Sequence, residues 1–104
     1  MRESVIKSKV ISIARANGWV HYNLSAIGRR GFPDNLFCKA IRRLIFMEFK
    51  TVTGQEHADQ RREQERLRAM GFEVHTCWSV EQGRAIFEYD DPLYRDEDGL
   101  GDAL

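Results

Sequence analysis

The sequence predicts one α/β domain, a mixed β-sheet flanked by helices, with the element order α-β-β-β-α-β-α. Three observations support this fold class. Helical patterns occur in three segments, and short extended runs bounded by turns lie between them. The first extended runs follow one another closely, as in hairpins, whereas the last is separated from them by a helix. Such a chain combines antiparallel and parallel strands in one sheet, with the helices packed on its faces.

The first element is a helix over residues 3 to 17. Its apolar residues recur at three- and four-residue steps and fall on one face, namely Ile6, Val10, Ile13 and Ala14. Glu3 precedes Ile6 by three residues, so we expect its side chain on the same inward face. Gly18 ends the helix, because glycine readily adopts the backbone conformation that follows a helix C-terminus.

Three strands are expected next. They cover residues 19–22, 34–38 and 44–51, with a loop at 24–32 and a turn at 39–43. In the second strand, Asp34, Leu36 and Cys38 share one face, since alternate residues of a strand point the same way. The third strand has apolar residues on both faces, which predicts a central strand that is covered on both sides.

A long helix follows the third strand. Thr53 and Glu56 fit a capping box, which predicts that the helix begins there and runs to Met70. Gly71 provides a typical residue just past its end. Gln60, Gln64 and Leu67 share one face of this helix.

A strand and a third helix complete the predicted domain. Residues 72 to 77 alternate as a strand, and Ser79 with Gln82 forms a second capping box that opens the last helix. Acidic residues and glycines then dominate, with too little apolar surface to fold. We therefore expect a domain at residues 1–91 and an acidic, flexible tail at residues 92–104.

Composition narrows the class of protein. A chain of 104 residues has the length of a single domain. No apolar run approaches the roughly 18 residues that a membrane span needs, and the first residues do not resemble a signal peptide. Cys38 and Cys77 lack metal-ligand spacing, so we expect buried thiols in a reducing compartment. These features predict a cytoplasmic protein with no membrane partner and no organic cofactor.

The net charge of zero hides two oppositely charged parts. Residues 90 to 104 contain six acidic residues and one arginine, a net of −5, whereas the rest has 15 basic and 10 acidic residues, a net of +5. A basic body suggests a polyanionic partner. A solvated surface with a disordered tail explains the charge equally well, so charge alone does not decide between the two.

The most informative residues lie at the end of the central strand. Glu48 and Lys50 are two positions apart, so an extended strand places them side by side on one face. A carboxylate that can hold a metal, next to an ammonium that can meet a phosphate, suits phosphodiester cleavage. Asp34, from the preceding strand, would be the second carboxylate. The alternatives are a structural Glu48–Lys50 ion pair and a turn role for Asp34 after Pro33.

These residues resemble the VRR-NUC branch of the PD-(D/E)xK nucleases. The matching elements are Glu3 in the first helix, Gly31-Phe32-Pro33-Asp34, Glu48-Phe49-Lys50, Gln60, and Gly71 before an apolar strand. Gln60 fits the family spacing better than Gln64. The chain departs from the family pattern at Asn35, where an apolar residue is usual, and after Lys50, where a Gly-Pro is often found.

The resemblance implies a restriction-endonuclease-like core and a DNA endonuclease that depends on Mg²⁺ or Mn²⁺. Asp34, Glu48 and the backbone carbonyl of Phe49 would hold the metal, and Lys50 would orient water or stabilise the transition state. Gln60 would position the lysine or the water. Glu3 would reach a second metal or only hydrogen-bond the site, and the dipole of its own helix is an equally simple reason for a first-turn glutamate.

The resemblance also implies a substrate and an assembly. Short members of the family are similar to phage proteins that act as homodimers on branched DNA, some of them on four-way (Holliday) junctions. A nicking or restriction-like DNase without junction preference remains an alternative, as does a DNA-binding module that has lost turnover. Arg29 and Arg30, on the loop before Asp34, are the expected backbone contacts to DNA. The arginines of the long helix alternate with glutamates, which favours solvated salt bridges there.

Overall fold

The computed structural model describes residues 1 to 89, and the predicted tail at residues 92–104 lies outside them. The helices are Glu3–Ala16 (α1), Ala58–Ala69 (α2) and Val80–Phe87 (α3). The strands are Val20–Asn23 (β1), Asn35–Lys39 (β2), Arg43–Phe49 (β3) and Glu73–Cys77 (β4), with a short 3-10 turn at Ser25–Ile27. The predicted element order is confirmed. None of the helices in this part of the chain has the length and apolar character needed to span a membrane.

The four strands form one mixed sheet in the order β1-β2-β3-β4. The pairs β1–β2 and β2–β3 are antiparallel, and the pair β3–β4 is parallel across the connection through α2. This is the mixture that the sequence predicts, because a hairpin connects neighbouring strands antiparallel whereas a helical crossover returns the chain parallel. Strand β3 is central, as expected from its apolar residues on both faces.

The main core lies between one face of the sheet and the helices α1 and α3. Alternate residues of β3 face it, and Ile45, Met47 and Phe49 are buried there. The two helices add the buried residues Ile6, Val10, Ala14, Ile86 and Phe87. The helices approach closely, because a Cβ atom on Gly83 would lie only 2.5 Å from a methyl carbon of Val10. The inward face predicted for the first helix is therefore confirmed for its apolar residues.

Helix α2 covers the opposite face of the sheet near β4. Leu67 is buried on this side. The ring of Phe46 lies in the centre of the layer, with the rings of Phe32 and Phe72 edge-on to it at centroid distances of 5.6 and 5.9 Å. Glu48 is two residues beyond Phe46 in β3, so it belongs to this second face. The polar end of the central strand thus lies on the α2 side, outside the main core.

The predicted start of the long helix is wrong. Helix α2 begins at Ala58, with His57 as the N-cap residue, and not at Thr53. The predicted capping residue Glu56 instead accepts a hydrogen bond from the hydroxyl of Thr76 in β4, at 3.1 Å. The Glu56 side chain therefore bonds to a residue of another strand and does not cap the helix. The second predicted capping box forms only in part at the start of α3: the Ser79 hydroxyl accepts from the backbone N–H of Gln82 at 3.1 Å, but the Gln82 side chain accepts from the N–H of Trp78 and not from that of Ser79.

Candidate active site

The predicted carboxylates Asp34 and Glu48 meet across two neighbouring strands. Asn35 in β2 pairs with Met47 in β3, and the two strands are antiparallel. The residue before Asn35 therefore lies opposite the residue after Met47, which places Asp34 opposite Glu48. Its backbone N–H donates to Oε1 of Glu48 at 3.1 Å. Glu48 is only 4% exposed, whereas Asp34 is exposed to solvent. The pair thus combines a carboxylate fixed within the sheet with one that faces the solvent.

Glu48 is held in an environment that disfavours its charged form. Burial raises the pKa of Glu48 to about 7, and the negative charge of Asp34 adds to the rise. The hydrogen bond from the Asp34 N–H and the charge of Lys50 act in the opposite direction without cancelling it. A carboxylate that is hard to ionise beside another carboxylate is stabilised by an added cation. The electrostatics therefore favour a positive ion at this position.

Lys50 and Glu3 act on the same carboxylate. Lys50 follows β3 on the face of Glu48, and its backbone N–H donates to the carbonyl oxygen of Cys77 at 3.0 Å. The charge of Glu3 contributes a smaller rise to the pKa of Glu48. Glu3 is exposed and does not face inward as predicted, because the first turn of α1 extends past the core and burial starts at Ile6. The fold nevertheless brings all four charged residues to one end of the sheet.

The two candidate glutamines of α2 differ in what they contact. Gln60 lies in the first turn, where its Oε1 accepts the backbone N–H of His57 at 3.0 Å. Gln64, one turn later, is buried, and its Nε2 donates to the hydroxyl of Thr76 at 3.0 Å. Thr76 is paired with Glu48 in the parallel register of β3 and β4. It is thus Gln64 that contacts the strand next to Glu48, while Gln60 caps the helix.

The α2 side of the sheet also carries a polar network that the sequence did not predict. The Thr76 hydroxyl connects Gln64 to Glu56, which lies on the segment between Lys50 and α2. Arg68 donates to Oε1 of Gln64 at 3.3 Å and to the carbonyl oxygen of Val74 at 3.1 Å. The network fixes the segment after Lys50 against β4. The shared face of Gln64 and Leu67 was the one sequence signal for it, since Leu67 had to be buried.

Asn35 fills a buried position beside Asp34 without leaving its polar atoms unpaired. Its Nδ2 donates to the carbonyl oxygen of Met47 at 3.3 Å, and its Oδ1 lies 2.8 Å from Nε2 of His21. Burial lowers the pKa of His21, so the neutral ring donates its Nε2 hydrogen to Asn35 near pH 7. This link between β1, β2 and β3 explains how a polar residue takes a position that is usually apolar in the family resembled above.

Arg29 and Arg30 are both bound to α2 in this structure. Arg29 donates from Nε and Nη2 to the two carboxylate oxygens of Glu63, at 3.0 and 2.9 Å. Arg30 lies 2.6 Å from a carboxylate oxygen of Asp59 through its Nε, yet its side chain is 89% exposed. Of the salt bridges expected along α2, Arg62 pairs with Asp59 and Arg66 lies 3.9 Å from Glu63, whereas Arg68 donates to Gln64 and to the carbonyl oxygen of Val74. The loop before Asp34 therefore contacts the helix through two ion pairs, one of them bidentate and the other exposed.

The residues present are chemically suited to a divalent cation. Asp34 and Glu48 offer hard carboxylate oxygens, the ligand type that Mg²⁺ and Mn²⁺ prefer. The elevated pKa of Glu48 is the observation that favours a cation there. Within residues 1–89, no three side chains of the metal-binding types Asp, Glu, His and Cys converge on one point. A site on Asp34 and Glu48 would accordingly need further oxygens from the backbone, water or substrate.

Comparisons with known proteins give one match in sequence and one in structure. The chain is 35% identical over 74 residues, 71% of its length and 80% of the relative, to a protein of Acyrthosiphon pisum secondary endosymbiont phage 1 described as "Putative nuclease p44". A solved structure described as a VRR_NUC domain superposes with a TM-score of 0.75 and 29% sequence identity, covering 83% of this chain and 94% of that one. No family model matches the chain.

Proposed function

The chain belongs to the VRR-NUC family of nucleases, and from this premise we propose that it is a metal-dependent DNA endonuclease with Asp34, Glu48 and Lys50 as its catalytic residues. Its mixed four-stranded sheet with flanking helices matches the restriction-endonuclease-like α/β core expected from the sequence. The observation that carries the proposal is the pair of carboxylates beside a lysine, in which Glu48 has a pKa of about 7.

The metal would be held by Asp34, Glu48 and the backbone carbonyl of Phe49. A bound Mg²⁺ or Mn²⁺ acidifies water and neutralises charge on the phosphate. Glu48 must give up its proton to serve as a ligand, so binding becomes tighter as the pH rises through about 7. Asp34, being exposed, would be the ligand nearer to solvent.

Lys50 would act on the phosphate itself. Its ammonium lies on the face of Glu48, where it can orient the attacking water or stabilise the negative charge that develops in the transition state. Gln60 would act from the first turn of α2, through the Nε2 group that its capping contact leaves available. Glu3 would extend the site with one further carboxylate, consistent with its charge being felt at Glu48.

We propose branched DNA, such as a four-way junction, as the substrate, and a homodimer as the working form. The family resemblance supports both, since each protomer of a two-fold dimer could cut one strand of a symmetric junction. Val20 and Tyr22 on the edge strand β1 are exposed apolar side chains, which is compatible with a partner surface. Light scattering should give twice the protomer mass of 12.1 kDa, and a monomeric mass at working concentration would contradict the dimer.

Cleavage of matched substrates tests the function directly. Four-way, flap, duplex and single-stranded DNAs of equal length are incubated with Mg²⁺, Mn²⁺ or EDTA, using wild type and Lys50→Ala. We expect cutting that requires metal, is fastest on the four-way junction and is lost in Lys50→Ala. Equal rates on all duplex substrates would indicate a nicking or restriction-like DNase. Tight binding without cutting by either protein would indicate a non-catalytic DNA-binding module.

A further inference from the structure

The loop that carries Asp34 is held at several points along its length. We call residues 28–34 the Asp34 loop. A Cβ atom on Gly31 would lie 2.5 Å from the carbonyl oxygen of Asp59, so the loop backbone directly contacts the first turn of α2. The ring of Phe32 packs edge-on against Phe46. The loop therefore lies between α2 and the sheet, and its path depends on α2.

Arg29 makes the strongest of these attachments. Its fork donates two parallel hydrogen bonds to Glu63, whose side chain is only 10% exposed. A bidentate arginine–carboxylate pair fixes orientation as well as distance. The Arg29 side chain is itself about half exposed, and Arg66 lies 3.9 Å from the same Glu63 carboxylate, so this contact is distinguished by its two-point geometry and not by a buried charge. Because two hydrogen bonds must be broken together, this contact is exchanged for a phosphate less readily than a contact made through one nitrogen.

Arg30 is placed differently, although it is the next residue in the chain. It contacts Asp59 through Nε alone, and its side chain is almost fully exposed. An exposed ion pair of this kind contributes little and is easily exchanged. Its remaining guanidinium hydrogens can reach a phosphate without the loss of a buried contact.

The Arg29 attachment is continuous with Asp34 through the main chain. The carbonyl oxygen of Arg29 accepts the backbone N–H of Phe32 at 3.1 Å, which closes a tight turn. Pro33 is buried and restricts the next step of the backbone. The Asp34 carbonyl oxygen then accepts the N–H of Leu24 at 2.6 Å, and its N–H donates to Glu48. Asp34 lies only two residues beyond this turn, so its position depends on where the turn is held.

We propose that Arg29 is a positioning residue that holds Asp34 against Glu48 through its pair with Glu63, whereas Arg30 makes the contact to the DNA backbone. This inference rests on the proposed function and divides two arginines that the sequence treats as equivalent. It assigns Glu63, on a helix far along the chain, to the support of the metal ligands.

Two measurements separate this role from a DNA contact, namely Mn²⁺ affinity and the salt slope of DNA binding, which counts phosphate contacts. If Arg29 positions Asp34, Glu63→Gln resembles Arg29→Ala, and both weaken Mn²⁺ binding by about tenfold, as loss of a supporting contact typically does. The double variant is then no weaker than either single one, because both remove the same contact. If Arg29 instead contacts a phosphate, Arg29→Ala lowers the salt slope of DNA binding by about 1, and the Mn²⁺ affinity of both variants equals that of wild type.

The experiment uses the full chain and three readouts. Calorimetry measures Mn²⁺ affinity, fluorescence anisotropy in EDTA measures DNA affinity over a range of salt, and NMR measures the shift and hydrogen exchange of the Asp34 amide. Arg30→Ala and Asp59→Asn are the matched controls. For Arg30→Ala we expect unchanged Mn²⁺ affinity and a salt slope of DNA binding lower by about 1. Arg29→Lys, which keeps the charge but loses the fork, replaces Arg29→Ala if that variant does not fold.

Two results would overturn the proposal. One is a salt slope of DNA binding that falls by about 1 in Arg29→Ala while both variants keep the Mn²⁺ affinity of wild type. The other is an Asp34 amide whose exchange is the same in wild type and in both variants. The amide readout needs neither metal nor DNA. If wild type binds no Mn²⁺ and cuts no DNA, the proposed function fails, while faster Asp34 exchange in both variants still supports the positioning role.

Discussion

Replacing Glu48 with glutamine is expected to stabilise the metal-free protein at neutral and alkaline pH. Glutamine has the same shape and retains an oxygen that can accept the N–H of Asp34, but it carries no charge. Burial and the neighbouring Asp34 raise the pKa of Glu48 from 4.5 to about 7. Each pKa unit is worth about 1.4 kcal/mol, so ionised Glu48 costs the folded protein on the order of 3 kcal/mol.

The sign of this effect fixes the pH window. Because the pKa is raised on folding, the folded protein holds the Glu48 proton more tightly than the unfolded chain does. The stabilising contribution of the protonated group is fully present below pH 4.5 and is lost as the pH rises through about 7. Wild type and Glu48→Gln should therefore have similar stability in acid, and the variant should be more stable by about 3 kcal/mol above pH 8.

Urea unfolding in EDTA, followed by circular dichroism between pH 4.5 and 8.5, measures the difference directly. The comparison is valid if the denaturant slopes of both proteins agree. Asp34→Asn is the matched control, since it removes a neighbouring charge but leaves Glu48 titratable. A stability difference between wild type and Glu48→Gln that does not change with pH would refute the reasoning.

Three further predictions concern the site and the scaffold. Millimolar Mg²⁺ or Mn²⁺ should raise the melting temperature of wild type but not of Glu48→Gln. Two carboxylates about 4 Å apart repel by roughly 4 kcal/mol at an effective dielectric constant of 20, and a bound cation offsets this repulsion. An unchanged wild-type melting temperature would contradict the site. Gly83→Ala should lower the free energy of unfolding by about 1–3 kcal/mol through overpacking against Val10, and the double variant with Val10→Ala should lose less than the sum of the two single changes. Ile41 has a left-handed φ of 63° and is 84% exposed, so Ile41→Gly should stabilise by about 1 kcal/mol, whereas the control Ala40→Gly should not.

Most of the fold was predictable because it depends on local periodicity. The spacing of Ile6 and Val10 fixes the inner face of α1, and the apolar residues of β3 make it central. The start of α2 was not predictable from the same kind of signal. Thr53 and Glu56 form a valid local motif, but the hydroxyl of Thr76, in a later strand, binds Glu56 instead. A cap contributes only about 1 kcal/mol, so one tertiary hydrogen bond is enough to override it.

The candidate site, like the fold, was predictable in part. Strand alternation places Glu48 and Lys50 together, and the pairing of neighbouring strands adds Asp34. The partner of Arg29 could not be found locally, since Glu63 is 34 residues away and has arginines as nearer neighbours on its own helix. The burial of Gln64 likewise depends on how α2 lies over β4. Sequence reasoning therefore gives the side chains that would hold a metal, but not the contacts that hold those side chains in place.

Asp34 and Glu48 lie next to each other, but the surrounding structure fixes their positions to very different degrees. Glu48 belongs to the central strand, paired on both sides and buried, so its position is set by the sheet. Asp34 lies at the junction of a loop and a strand, and both neighbouring backbone contacts depend on where that loop runs. Since ionised carboxylates repel each other, this repulsion favours movement of the loop away from Glu48 when no metal is bound. The attachment of the loop to α2 opposes that movement, so the strength of the Arg29–Glu63 pair should determine how well the site is formed before a cation binds.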